Sequence, residues 1–136
     1  MKLRVFLVED SFAMRAHLSD ILAVAANMEV VAVAETEAEA KGWLSNNADR
    51  WDVALVDLFL REGTGAGVVE HCRDRRPDQR IVVMTNHVRN HTLIDYCKLM
   101  GANAVYHKAT EMDDLVAYCT ALAAKSAELL VSSKMV

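Results

Sequence analysis

The chain of 136 residues has the length of one domain, and its composition suits a packed core, since 53% of the residues are hydrophobic and 25% are charged. Its formal net charge is −4, from 15 Lys and Arg against 19 Asp and Glu, which argues against nucleic acid or an anionic membrane surface as a partner. No apolar run reaches the roughly 20 residues that span a bilayer, and no signal peptide is evident. We therefore expect a cytoplasmic protein that binds no nucleic acid and no membrane.

Five short apolar runs predict β-strands that are covered on both faces, because each run is too continuous for a strand with one face in water. They lie at residues 3–8, 30–34, 53–56, 81–84 and 104–106. The segments between them show helical spacing, and the last helix is predicted over about residues 111–130. The strict alternation of strand and helix predicts an α/β fold with a parallel sheet between two layers of helices.

Capping signals mark several helix ends. Ser11 is a candidate N-cap for the first helix, and Thr36 with Glu39 has the spacing of a capping box before the second. Gly101 follows the apolar stripe of the fourth helix, at the place of a left-handed C-cap. The three cysteines lie in helical patterns without a close pair, which predicts buried thiols rather than a disulfide or a zinc site.

Polar side chains follow four of the five predicted strands. Glu9 and Asp10 come after the first strand, Asp57 after the third, Thr85 after the fourth and Lys108 after the fifth. In an open α/β sheet the functional site lies beyond the carboxyl ends of the strands, so these side chains are expected at one edge. Each of them alone is typical of an ordinary loop, but their recurrence at corresponding strand ends favours a shared site.

Three carboxylates beside one ammonium favour a bound divalent cation, since like charges close together are unfavourable unless a cation neutralises them. Magnesium prefers hard oxygen ligands, whereas zinc would require His or Cys next to the acids. A metal, a lysine and a hydroxyl around Asp57 also favour phosphoryl transfer, with that carboxylate as the candidate nucleophile.

These residues resemble the receiver domain of bacterial response regulators, the phosphoacceptor part of two-component signalling, over roughly residues 3–125. The resemblance is carried by the acidic pair after the first strand and by Asp57, Gly65, Thr85, Gly101 and Lys108. It implies a flavodoxin-like, doubly wound five-stranded parallel sheet in the order 2-1-3-4-5. It also implies that residues 1–136 form a single receiver domain without an output domain.

The resemblance further implies roles for the acidic residues. Asp57 would accept a phosphoryl group from a histidine kinase or a histidine phosphotransfer protein. Asp10, Asp57 and the backbone carbonyl of Phe59 would ligate Mg²⁺, and Glu9 would act through the water shell of the metal.

Lys108 and Thr85 would bind phosphoryl oxygens. Movement of the Thr85 hydroxyl would shift the face formed by the fourth helix, the fifth strand and the fifth helix. A downstream protein would recognise this face, and homodimerisation through it is left open. In this interpretation the chain is not an enzyme, because it assists only its own phosphorylation and dephosphorylation.

Three positions depart from the usual pattern of the family. Val105 stands where an aromatic residue is usual, and Tyr106 beside it is expected on the opposite face of the strand. Ala109 replaces the proline that usually follows the lysine across a cis bond. Phe59 is bulky and apolar, which gives the hypothesis that it keeps water away from the acyl phosphate and prolongs the phosphorylated state.

Other interpretations stay open on the sequence. A receiver-like adaptor that binds its partner without phosphate is kept open by Val105 and Ala109. An aspartyl-phosphate phosphatase of the haloacid type fits less well, because that family places its nucleophile and a second Asp two residues apart after the first strand. His87 and His91 have the spacing of some zinc sites but lack a third ligand, and residues 63–67 are interpreted as a mobile loop.

Overall fold

The computed structural model describes residues 2–86 and 91–134, with side chains described as far as residue 126. In these residues five strands alternate with five helices, as the sequence predicts. The strands are β1 (Leu3–Val8), β2 (Met28–Ala34), β3 (Val53–Asp57), β4 (Arg80–Thr85) and β5 (Ala104–His107). The helices are α1 (Phe12–Ala25), α2 (Glu37–Asn46), α3 (Gly65–His71), α4 (His91–Leu99) and α5 (Met112–Lys134).

The five described strands are parallel and follow the order β2-β1-β3-β4-β5. This arrangement confirms the predicted α/β fold and the flavodoxin-like strand order that the resemblance implies. Because the strands run in the same direction, their carboxyl ends meet at one edge of the sheet. The residues that follow β1, β3, β4 and β5 are therefore neighbours in space.

Each face of the sheet has its own hydrophobic core. Strand residues pack with α2, α3 and α4 on one face and with α1 and α5 on the other. Trp51 is buried, and Trp43 stacks on Phe6 with ring centroids 4.3 Å apart. The three cysteines are buried and free, as predicted. Two covered faces explain the continuous apolar runs of β1, β3 and β4. The prediction is wrong for β2, which lies at the edge of the sheet and exposes Val31 and Val33 on one face.

Most of the observed elements extend beyond the predicted ones. β2 begins at Met28 rather than at residue 30, and α5 runs to Lys134 rather than to about residue 130. Hydrophobic spacing marks where a face is buried, and backbone hydrogen bonds continue past that point. Gly101 has a φ of +113°, which confirms the left-handed conformation predicted after α4. None of the described helices is long and apolar enough to cross a membrane.

The turn after β3 brings α3 against the end of the strand that carries Asp57. Thr64 caps α3 by accepting a hydrogen bond from the Gly67 amide, and the Gly65 amide donates to the Leu58 carbonyl at 2.9 Å. A Cβ on Gly65 would collide with the backbone carbonyl of Asp57. Only glycine permits this approach, so Gly65 helps to fix the position of Asp57.

Gly65→Ala is expected to lower the free energy of unfolding by about 1–3 kcal/mol, because the added methyl group overpacks the end of β3. Gly42→Ala is the matched control. A Cβ at Gly42 of α2 has nothing within 4 Å, and a helix favours alanine over glycine by about 1 kcal/mol. Gly42→Ala is therefore expected not to lower the free energy of unfolding. Urea unfolding measures the free energy of unfolding of both variants and of wild type. A Gly65→Ala protein as stable as wild type would contradict the prediction.

Candidate functional site

Three carboxylates converge at the carboxyl edge of the sheet. Glu9 and Asp10 follow β1, and Asp57 is the last residue of β3. Because these two strands are neighbours, carboxylate oxygens of the three residues lie within 4.8 Å of one another. Glu9 and Asp57 are buried, whereas Asp10 is half-buried. The sheet therefore holds an acidic cluster largely out of water.

Lys108 supplies the positive charge of this cluster. Its Nζ donates to both carboxylate oxygens of Glu9, at 3.1 and 3.0 Å, and to Oδ2 of Asp57 at 3.0 Å. Only 8% of the Lys108 side chain is exposed, so these charge-assisted hydrogen bonds are shielded from water. The Lys108 amide donates to the Thr85 carbonyl at 2.9 Å, which fixes the lysine at the end of β5.

Burial and charge together change the acidity of two groups in the cluster. Burial raises the pKa of Glu9 to about 7, and the neighbouring Asp57 carboxylate adds to this effect while Lys108 opposes it. Burial also disfavours the charged form of Lys108, but the carboxylates of Asp57 and Glu9 outweigh it and raise the pKa of the ammonium. The lysine therefore keeps its proton. Its positive charge lowers the pKa of Glu9, but by less than burial raises it.

The loop between β3 and α3 adds backbone donors to the carboxylates. The Phe59 amide donates to Oδ1 of Asp57 at 3.3 Å, and the Arg61 amide donates to Oδ2 of Asp10 at 2.6 Å. Phe59 is 36% exposed and pairs with Thr64 across the loop in an isolated β-bridge. The loop thus lies directly beside two of the three acids.

Thr85 is the remaining predicted site residue. It is the last residue of β4, only 1% exposed, and it pairs with His107 of β5 in the sheet. The structure therefore brings the whole predicted set to one edge of the sheet. The set consists of Glu9, Asp10, Asp57, Phe59, Thr85 and Lys108.

Two arginines beside the acidic cluster are not among the residues predicted from the sequence. Arg15 of α1 donates from its guanidinium to the Glu9 carbonyl at 2.8 Å. The Glu35 carboxylate joins the two arginines, since it lies 3.1 Å from Arg15 and 3.4 Å from Arg61. The three charged side chains belong to different segments of the chain, so no local sequence pattern identifies them.

The loop between β5 and α5 has a shape of its own. All described peptide bonds are trans, including the one between Lys108 and Ala109. Nδ1 of the His107 imidazole accepts hydrogen bonds from the amides of Ala109 and Thr110, each at 3.2 Å. A turn around an imidazole therefore stands where the family pattern has a cis proline, and Lys108 still reaches both acids.

Val105 and Tyr106 lie on opposite faces of β5, as the period of a strand predicts. Val105 packs against the core that includes α3 and α4, and Tyr106 packs against the core that includes α1 and α5. The Tyr106 ring centroid lies 6.1 Å from that of Tyr118 in α5. Tyr106 therefore does not take the position of the aromatic residue that is usual in the family.

The acidic cluster suits a hard divalent cation. When all three acids are ionised, one ammonium leaves the cluster with excess negative charge. Oxygen ligands suit Mg²⁺, and this group of residues offers neither the histidine nor the cysteine that Zn²⁺ prefers. His91 is the first residue of α4, while His87, the other member of the zinc candidate pair, lies outside the described residues.

Comparison with known sequences identifies related proteins. The sequence model of the response regulator receiver domain matches residues 5–120. The photosynthetic apparatus regulatory protein RegA of Rhodobacter capsulatus is 37% identical over 83 residues, which make up 61% of this chain and 44% of RegA. The DNA-binding transcriptional activator DevR/DosR of Mycobacterium tuberculosis is 36% identical over 95 residues, or 68% of this chain and 42% of that protein. The chain thus spans less than half the length of these curated relatives.

Solved structures share the fold. The phosphorylated cyanobacterial phytochrome response regulator RcpA matches with a TM-score of 0.72 and 24% identity, over 90% of this chain and 91% of RcpA. A two-component response regulator of the LuxR family from Aurantimonas sp. SI85-9A1 matches with a TM-score of 0.77 and 23% identity, over 92% and 87% of the two chains. At these identities the likeness establishes the fold.

The relatives do not support the expectation that nucleic acid is absent from the partners. DevR/DosR is named as DNA-binding. A structure of similar fold from Staphylococcus aureus is described as a DNA-binding response regulator, with a TM-score of 0.76 and 15% identity over 89% of this chain and 98% of that one. The net charge of −4 belongs to this chain alone, and such relatives extend well beyond the matched part.

Glu9→Gln is expected to stabilise the metal-free protein at neutral and higher pH, because it replaces a buried carboxylate by a neutral amide. The folded state raises the pKa of Glu9 above its ordinary value. The protonated form therefore stabilises the fold at low pH, and this contribution is lost as the pH rises through about 7.

Urea unfolding in the presence of a chelator checks this prediction. The stability of wild type relative to Glu9→Gln is expected to fall between about pH 5 and about pH 8. A difference between the two proteins that does not change with pH would contradict the raised pKa of Glu9.

Proposed function

The chain belongs to the response regulator receiver domain family, and from this premise we propose that Asp57 accepts a phosphoryl group from a histidine kinase or a histidine phosphotransfer protein. The proposal depends above all on one observation, the 3.0 Å contact of Asp57 with Lys108 inside a buried cluster that also contains Glu9 and Asp10. The phosphorylated protein then signals by binding another protein.

Asp57 is the nucleophile of the transfer. One of its carboxylate oxygens attacks the phosphorus of a phosphohistidine, so an O–P bond forms while the P–N bond to the donor imidazole breaks. The electron pair of the broken bond returns to the imidazole, which takes up a proton. Lys108 holds Oδ2 of Asp57 and the Phe59 amide holds Oδ1, and these two contacts orient the carboxylate for attack.

Charge neutralisation is the second requirement, because the phosphoryl group adds negative charge to a cluster that is already acidic. In this proposal Asp10, Asp57 and the Phe59 carbonyl ligate Mg²⁺, and Glu9 acts through the water shell of the metal. The bound cation supplies positive charge beside the phosphoryl oxygens. Lys108, whose pKa is raised, keeps its proton and pairs with a phosphoryl oxygen.

Thr85 connects the site to the protein surface. It is buried at the end of β4, and its carbonyl binds the Lys108 amide. On phosphorylation its hydroxyl moves to a phosphoryl oxygen, and this movement shifts the face formed by α4, β5 and α5. Leu99 on α4 is 78% exposed, which suits a face that a downstream protein or a second copy of the chain covers.

A second candidate function is a receiver-like adaptor that binds its partner without phosphorylation. The observation that favours it lies in β5, where Val105 faces α4 and the ring of Tyr106 packs on the other side of the sheet. The movement of Thr85 then has no aromatic side chain at position 105 to act upon. Equal affinity of the phosphorylated and unphosphorylated protein for a partner would support this function.

Intact-protein mass after exposure to a small-molecule phosphodonor with Mg²⁺ tests the proposal. Wild type is expected to gain one phosphoryl group, whereas Asp57→Asn and a chelated wild-type sample are expected to gain none. Asp20→Asn is the matched control, because Asp20 is an exposed aspartate of α1 and should leave the reaction unchanged. If folded wild type binds Mg²⁺ but gains no mass, the proposal is wrong and the adaptor takes its place.

Phe59→Asn is expected to shorten the lifetime of the phosphorylated protein. The Phe59 amide lies 3.3 Å from the Asp57 carboxylate, which places this residue beside the phosphorylation site, and in this proposal its apolar side chain hinders the approach of water to the acyl phosphate. Loss of the phosphoryl group over time, followed by intact mass, measures the rate. Phe59→Leu retains an apolar side chain and is expected to stay close to wild type. An unchanged rate in Phe59→Asn would refute the shielding role.

A further inference from the structure

Glu37, the first residue of α2, binds the loop between β3 and α3 through both its backbone and its side chain. Its amide donates to the Glu62 carbonyl at 3.1 Å. Its Oε1 accepts from the Thr64 amide at 2.8 Å and from the Thr64 hydroxyl at 3.4 Å. Three hydrogen bonds therefore connect one residue of a neighbouring helix to two positions of the loop.

Two glycines pack directly on the Glu37 side chain. A Cβ on Gly63 would meet Cβ of Glu37, and a Cβ on Gly67 would meet the Glu37 carboxylate. Gly63 also has a φ of +83°, a conformation that favours glycine. The segment from 63 to 67, which the sequence suggested was a mobile loop, is thus wrapped around one carboxylate.

Glu37 is held in turn by its own helix. Lys41, one turn further along α2, pairs with Oε2 at 2.7 Å and leaves Oε1 to the loop. The hydrogen bond from Lys41 and the one from the Thr64 amide lower the pKa of Glu37, so its side chain is ionised at neutral pH. An ionised acceptor makes stronger hydrogen bonds than a neutral one.

The first path from Glu37 to the site runs through Thr64. Thr64 pairs with Phe59 in the β-bridge across the loop. The Phe59 amide donates to Oδ1 of Asp57. The Phe59 carbonyl, which we propose as a metal ligand, therefore belongs to a residue that is fixed on one side by the loop and on the other by Asp57.

The second path runs through Glu62. The Glu37 amide binds the Glu62 carbonyl, and the preceding residue is Arg61, whose amide donates to Asp10 at 2.6 Å. Asp10 is the other carboxylate that we propose as a direct ligand. One end of the loop segment that touches the acids is therefore anchored by the Glu37 side chain through Thr64, and the other by the backbone amide of the same residue, which a substitution at position 37 retains.

We infer that Glu37 is a positioning residue of the phosphoryl-transfer site, which holds the β3–α3 loop in the conformation that Mg²⁺ binding requires. The inference rests on the proposed function, because it assumes that Asp10, Asp57 and the Phe59 carbonyl bind the metal. Glu37 does not touch the reacting atoms. It acts by reducing the number of conformations that the loop loses when the metal binds.

Amide hydrogen exchange of the metal-free protein tests whether Glu37 holds the β3–α3 loop in place. Glu37→Ala is expected to increase the exchange rate of the amides in residues 58–64, because it removes the acceptor of the Thr64 amide and hydroxyl. Glu39→Ala is the matched control. It removes the same charge from the same turn of α2, but its carboxylate accepts from the Glu35 amide and not from the loop.

Calorimetric titration with Mg²⁺ alone tests whether Glu37 favours Mg²⁺ binding. Glu37→Ala is expected to weaken Mg²⁺ binding by about tenfold, the usual effect of removing a group that holds metal ligands in place. At saturating Mg²⁺ the phosphorylation rate is expected to return close to the wild-type value, because the nucleophile and Lys108 are unchanged. Glu37→Gln retains an oxygen that accepts from the Thr64 amide and is expected to recover part of the affinity.

Gly67→Ala tests the same contact without removing Glu37. The added methyl group displaces the end of the Glu37 side chain, whereas alanine itself suits this position in α3. Its exchange rates and Mg²⁺ affinity are therefore expected to change in the same direction as those of Glu37→Ala. Wild-type exchange or wild-type affinity in both variants would overturn the positioning role. If wild type itself took up no Mg²⁺, the proposed function would fail first, and the role of Glu37 with it.

Discussion

Glu9, Asp10 and Asp57 bring three carboxylates within 4.8 Å of one another, and the ammonium of Lys108 offsets part of their repulsion. This imbalance explains the chemistry that the site favours. A buried group of acids with too little positive charge attracts a hard cation, and the cation and lysine together can accommodate the charge of a phosphoryl group. Burial, together with the neighbouring Asp57 carboxylate, raises the pKa of Glu9, so the metal-free site lowers the stability of the fold once Glu9 is ionised.

The parts of the site that follow from strand order could be predicted from the sequence. Glu9 and Asp57 come directly after apolar runs, and Lys108 follows another with one histidine between them. Parallel strands bring residues at these strand ends to one edge. Glu37 could not be predicted in this way, because its role depends on contact with Thr64, which is 27 positions away. The capping pattern of Thr36 and Glu39 locates the start of α2 but does not indicate what the side chain of Glu37 contacts.

The departures from the family pattern show how local chemistry can replace a usual residue. Without a proline after Lys108, the chain turns around Nδ1 of His107, and the lysine still reaches Glu9 and Asp57. At position 105, by contrast, no neighbouring residue replaces the usual aromatic side chain. Tyr106 packs on the opposite face of β5 and does not fill the space beside α4. The acidic residues and the lysine thus match the family pattern more closely than position 105 does.

Locating the phosphoryl group within the chain is the most direct test of the central claim. Borohydride reduces an aspartyl phosphate to homoserine, and fragment-ion sequencing of the digested protein then gives the position of the modified residue. After treatment with a phosphodonor and Mg²⁺, we expect homoserine at position 57 and at no other aspartate. Homoserine at another position, or an unmodified Asp57 in protein that has gained a phosphoryl group, would contradict the assignment of Asp57 as the phosphoacceptor.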